Sequence, residues 1–251
     1  MSDVNFGLCK LHKNFFSLLA LLALCDKKIH GKPLSPFFLL AMIYSFSKEN
    51  FKQLCNQLAQ KDTHLQSIIE QYGHPPMWSR PASFASLVHI ILEQQVSLAS
   101  ARAALKKLKE KIGVITPAKV LLLSDEELRA CYFSRQKTIY ARCLAEAIVT
   151  KKLQLKKLNA QTDDEIRTEL KKIKGIGDWT VDVYLLFVLQ RSDVFPTGDL
   201  AMMNALKETR QLPKHTSKEA ILQLAEAWRP HRSLATMLLW HHYIKTRNIK
   251  I

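Results

Sequence analysis

The stretch Leu170-Lys171-Lys172-Ile173-Lys174-Gly175-Ile176-Gly177-Asp178-Trp179-Thr180 places two of the chain's seven glycines in a five-residue break between two helical segments. Residues 163–172 upstream read as a helix, and residues 178–189 (DWTVDVYLLFVL) as a strongly apolar one. Glycines let the backbone turn tightly there and come close to another molecule. The amides that open the second helix have no intrahelical acceptor and can serve as an anion site. A hairpin of this kind at 173–178 can grip a DNA phosphate through backbone donors without reading bases. An ordinary helix connection with a glycine cap accounts for the same residues equally well when they stand alone.

Composition bounds the partner. The chain has 251 residues, 47% of them hydrophobic and 24% charged, enough for a buried core and unlike a disordered segment. So few glycines disfavour glycine-rich cofactor loops and turn-rich β architectures. Lysine and arginine outnumber aspartate and glutamate by 37 to 22, a net charge of +15 that favours a polyanion, nucleic acid ahead of an anionic membrane. The five cysteines, Cys9, Cys25, Cys55, Cys131 and Cys143, are scattered without a C-x-x-C pair. That pattern argues against a disulfide framework and against a zinc or iron–sulfur site of the usual spacing, and it suits a reducing compartment.

Residues 1–46 differ from the rest. Two apolar runs, Phe15–Leu24 and Leu34–Phe46, flank Asp26, Lys27, Lys28 and Lys32, and neither reaches the roughly 20 residues a spanning helix needs. A secretory signal is one reading. An appended amphipathic segment, or translated upstream sequence with the true start at Met42, are the others, and a non-essential extension is the reading preferred here. From Ser47 onward the chain reads as ten or so short helices. Asp62, Ser83, Ser97 and Ser134 stand as their starts, with capping boxes at Ser124–Glu127, Thr162–Glu165 and Thr216–Glu219. The fold class expected is all-α.

After the apolar helix comes Val194-Phe195-Pro196-Thr197-Gly198-Asp199, then a new helix. An isolated aspartate there is most simply an N-cap. Some twenty residues after a phosphate-gripping hairpin, it also faces the same bound backbone.

The hairpin, the apolar helix and this aspartate loop resemble the helix–hairpin–helix DNA glycosylase superfamily, and within it the AlkA-type DNA-3-methyladenine glycosylases II. Three further stretches share the resemblance: Trp78-Ser79-Arg80-Pro81, Glu93-Gln94-Gln95-Val96-Ser97, and Trp228-Arg229-Pro230-His231-Arg232-Ser233 running to Trp240. It covers residues 47–251 and implies two helical subdomains flanking a DNA- and base-binding cleft. It assigns Asp199 as the catalytic carboxylate. It puts Trp179 and Trp240 in the base pocket, with Tyr184 as a further wall one position out of register from the family's residue, where Val183 stands. Gly175 and Gly177 hold the phosphate, with Lys174 and Thr180 as DNA-binding neighbours and a monovalent cation as an optional companion. Gln95 falls in the turn that supplies the wedge, although its polar side chain departs from the leucine of the best-known member. Tyr132 replaces a glycine usual two residues before Ser134.

The resemblance implies monofunctional hydrolysis of the N-glycosidic bond of alkylated purines in double-stranded DNA. The lysine nucleophile of the bifunctional members is replaced by Trp179, and no cysteine follows Cys143, so neither lyase chemistry nor an iron–sulfur cluster is expected. A monomer in the cytoplasm, associated with the nucleoid through DNA, is the accompanying expectation. The competing readings are a non-catalytic DNA-binding module and a glycosylase for deaminated or oxidised bases.

Overall fold

The computed structural model describes residues 45–250 together with the four residues of a short ladder, β1 (Lys28–Ile29) and β2 (Lys32–Pro33), which pair antiparallel. The chain divides into two units, Met1–Phe46 and Ser47–Ile251. Of the two apolar runs of the first unit only Ser45 and Phe46 are among the described residues, and the ladder lies between the runs as a small exception to an all-helical chain.

The second unit is helical: α1 (Phe51–Ala59), α2 (Thr63–Tyr72), α3 (Phe84–Glu93), α4 (Leu98–Ile112), α5 (Pro117–Leu122), α6 (Asp125–Ala130), α7 (Arg135–Val149), α8 (Leu155–Leu158), α9 (Asp163–Lys171), α10 (Asp178–Phe187), α11 (Leu200–Thr209), α12 (Lys218–Ala225) and α13 (Arg232–Thr246). Side-chain caps start most of them. Asp62, Ser83, Ser97 and Ser134 accept backbone N–H groups as expected, and the boxes at Ser124 and Thr162 close. The third box does not form: Ser217 rather than Thr216 caps α12 through the Ala220 N–H, and Ala220 has no polar side chain to close a box.

Two lobes form. In the first, α3 packs on α4, α7 and α10, while α7 also takes α5 and α6, around a core running from Phe84 to Val194. In the second, α13 packs on α1, α2 and α11, so both ends of the unit meet. Asp62 ties this lobe together. Its carboxylate caps α2 through the His64 and Leu65 N–H groups, pairs with Arg210, and accepts the Trp228 Nε1–H at 2.7 Å. Trp228 is therefore a core residue, 1% exposed. Asp62→Ala removes one cap and leaves a buried indole N–H and a largely buried guanidinium unpaired. We expect a loss of about 3 kcal/mol or more in urea unfolding, with the helical content of the residual native state unchanged.

Candidate active site

Between the lobes lies a cleft of about 2000 Å³, lined from the first lobe by α3, the turn after it and the hairpin, and from the second by Asp199, Leu200 and Trp240. The hairpin turns at Gly175 with φ +92°, a conformation that a residue with a Cβ rarely adopts. The Tyr140 ring lies flat against it: a Cβ at Gly175 would stand 2.0 Å from Tyr140 Cγ. From the other side, Gln94 Nε2 donates to the Gly175 carbonyl and to Thr180 Oγ1, both at 2.9 Å. Gly177 then starts α10 with no side-chain cap. The first amides of that helix are therefore left for an external acceptor. The Asp178 carboxylate in this turn is compensated by Lys171 and Arg167.

Asp199 does two jobs at once. As the N-cap of α11 its Oδ1 accepts the Met202 N–H at 2.8 Å. The same oxygen accepts Trp240 Nε1–H at 2.9 Å, and Oδ2 accepts Trp179 Nε1–H at 2.9 Å. Three donors fix the carboxylate, which is 9% exposed, in one orientation at the cleft. A cap alone needs only the first of them.

The cleft wall beside it is aromatic. Phe187 lies 5.2 Å from Trp240, centroid to centroid, and 6.4 Å from Trp78, and the Arg80 guanidinium sits 5.3 Å above the Phe187 ring. Arg80 also binds Glu93 through two hydrogen bonds of 2.8 and 2.6 Å, which anchors the segment before α3 to the end of that helix. Burial pushes the imidazole of His89, one turn before Glu93, below its ordinary value, against the opposing pull of Glu93.

Of the residues singled out in the sequence, Asp199, Trp179, Trp240, Gly175, Gly177 and Gln95 all meet at this cleft, with Gln95 exposed in a left-handed turn (φ 56°). Lys174 is exposed on the hairpin. Two assignments are corrected. Tyr184 is fully buried in the first lobe's core, where burial pushes its hydroxyl up to about 12, and the cleft is lined instead by Val183 and Phe187. Thr180 is 1% exposed and its hydroxyl is engaged by Gln94, so it braces the hairpin rather than offering a free group to DNA. Gln94 and Tyr140, which hold the hairpin from two sides, carried no individual role in the sequence reading. Gln94 stood only within the Glu93–Ser97 stretch.

Comparison with known proteins agrees with this geometry. The model of the HhH-GPD superfamily of base excision DNA repair proteins matches residues 88–230. The Bacillus subtilis protein YfjP is 30% identical over 186 residues, 71% of this chain and 65% of its own length, so the chain spans just under two thirds of that relative. DNA-3-methyladenine glycosylase 1 of Schizosaccharomyces pombe is 28% identical over 206 residues, covering 76% of this chain and 90% of that protein. The solved structure of the Schizosaccharomyces pombe 3-methyladenine DNA glycosylase Mag1 with abasic DNA superposes with a TM-score of 0.67 at 27% identity, over 75% of this chain and 95% of that one. With more than half of its length matched by that model and the hairpin and Asp199 loop inside the matched range, this chain belongs to the HhH-GPD superfamily of base excision DNA repair proteins.

Proposed function

We propose that the chain is a monofunctional DNA glycosylase that hydrolyses the N-glycosidic bond of alkylated purines of the 3-methyladenine type, flipped out of duplex DNA, and leaves an abasic site. One observation carries this reading: a carboxylate locked by two indole N–H donors faces an aromatic cleft beside a hairpin with open amides.

The chemistry follows from those parts. The hairpin amides and the exposed Lys174 hold a backbone phosphate, positioning the strand. Alkylation at N3 or N7 gives the purine a positive charge, and an aromatic face attracts such a cation by about 0.5–2 kcal/mol. The C1′–N bond breaks with its electron pair going to the base, which departs neutral. Positive charge then develops on the sugar, opposite the fixed Asp199 carboxylate, whose donors are already in place and need no reorganisation. Water adds to C1′ and gives up a proton, which the Asp199 carboxylate at the cleft can accept. Trp179 stands where a lysine would be needed for lyase chemistry, with its N–H committed to Asp199. The carbonyls of Ile173 and Gly175 each accept one hydrogen bond and keep a second lone pair, so these two oxygens would hold a monovalent cation, whose charge would favour the phosphate. All these groups come from one chain, which supports action as a monomer. The free thiols of Cys55, Cys131 and Cys143 suit the cytoplasm and its nucleoid.

The test is incubation with duplex DNA treated with a methylating agent, followed by chromatography of the released purines and gel analysis of the strands. The expected result is free 3-methyladenine, with strand breaks only after alkali. Release of no alkylated purine would contradict the substrate, and breaks without alkali would contradict hydrolysis alone.

A further inference from the structure

Tyr132 is the one aromatic residue among the described non-glycine residues with positive φ (64°). Its neighbours hold it there. Cys131 and Phe133 are each 3% exposed, and their N–H groups both bond to the Leu128 carbonyl, at 3.0 and 3.1 Å. With both flanking side chains turned inward, the Tyr132 ring is left 61% exposed at the rim of the cleft, stacked on no other described side chain. A residue with a Cβ in this conformation is disfavoured, and a large ring in water adds nothing to the fold, so local stability would favour glycine at this position.

The turn is also placed for DNA. Lys137, in the first turn of α7 just beyond Tyr132, donates its Nζ to the Leu92 carbonyl at 2.6 Å. That bond fixes the Tyr132 turn to the end of α3, where Gln95 is the other non-glycine residue of the cleft lining with positive φ. Flipping a nucleotide opens apolar base faces in the duplex, and Gln95 has a polar side chain to set against them.

We propose that Tyr132 inserts against a base face opened by flipping and supplies the stacking surface that Gln95 lacks. This rests on the glycosylase reading above, because only a flipped nucleotide opens that face. Aromatic–base stacking is sequence-tolerant, which suits an enzyme that meets its lesion in any context.

The test measures affinity for two duplexes of one sequence, one intact and one with a tetrahydrofuran abasic analogue, using wild type, Tyr132→Gly and Tyr132→Phe. Wild type is expected to prefer the abasic duplex. Tyr132→Gly should lose about tenfold or more on that duplex, with little change on the intact one, while Tyr132→Phe retains the preference. The Tm of Tyr132→Gly should hold or rise, a direction that a packing role would not produce. Tyr132→Gly affinity for the abasic duplex within about twofold of wild type, or an equal loss on both duplexes, overturns the proposal. A wild type that does not prefer the abasic duplex at all would instead count against the glycosylase reading.

Discussion

Asp199→Asn is expected to slow release of alkylated purine under single-turnover conditions by about 10²–10⁴-fold, with DNA affinity within a few-fold of wild type. The substitution keeps shape and removes charge. Its amide oxygen can still cap α11 through Met202 and accept from Trp240, the two bonds made by Oδ1. The amide NH₂ then replaces Oδ2 and points a donor at the Trp179 Nε1–H, which now sits 2.9 Å from an acceptor. Trp179 has to move or lose its partner, so both the charge opposite the sugar and the pocket wall suffer. The hairpin and its open amides are untouched, which is why binding survives. Loss of binding in parallel with activity would mean that Asp199 matters only as a helix cap. Single-turnover rates and equilibrium binding on the same substrate separate the two.

Gly175→Ala is the second large effect. The φ of +92° costs about 1–3 kcal/mol for a residue with a Cβ. The methyl would also meet three Tyr140 ring carbons at 2.0, 2.3 and 2.4 Å, adding about 1–3 kcal/mol of overpacking. Tyr140 cannot easily retreat, since it is half-buried against the first lobe's core and tied to Gln136. Either the ring or the hairpin gives way, and the Gln94 bond to the Gly175 carbonyl goes with it. We expect about 3 kcal/mol lost in urea unfolding and DNA affinity down by about tenfold or more. Adding Tyr140→Ala should return the steric part and leave the backbone part. A double-mutant cycle on stability with no coupling between the two positions would show that the ring contact does not constrain the hairpin.

Local signals made much of the fold legible. Asp62, Ser83, Ser97 and Ser134 start helices where a short polar residue precedes an apolar repeat, because each side chain can accept the free amides of its own first turn whatever lies further along the chain. Thr216 and Ser217 could both serve this way; in the folded chain Ser217 caps the helix and the Thr216 hydroxyl donates to the Pro213 carbonyl instead. The hairpin was legible from its glycines and Asp199 from its loop, but not the link between them. Trp179, Asp199 and Trp240 are 20 and 41 residues apart along the chain, and no periodicity reports that two indoles donate to one carboxylate. The error at Tyr184 has a physical origin. Helix α10 is apolar nearly all round, so its sequence has no polar face to set its rotation. The spacing of Trp179, Val183 and Phe187 marks the cleft side, and Tyr184 falls on the core side.

Central to all of this is the negative charge of Asp199, held opposite the sugar as its bond to the base breaks. A duplex carrying a cationic pyrrolidine in place of the target sugar mimics that charged state, and a tetrahydrofuran duplex is its neutral counterpart. Their affinities for wild type and Asp199→Asn measure the charge directly. The cationic duplex should bind wild type at least about tenfold more tightly than the neutral one, and Asp199→Asn should abolish that advantage. Equal binding of the two duplexes by wild type, or an advantage that survives in Asp199→Asn, would contradict the mechanism.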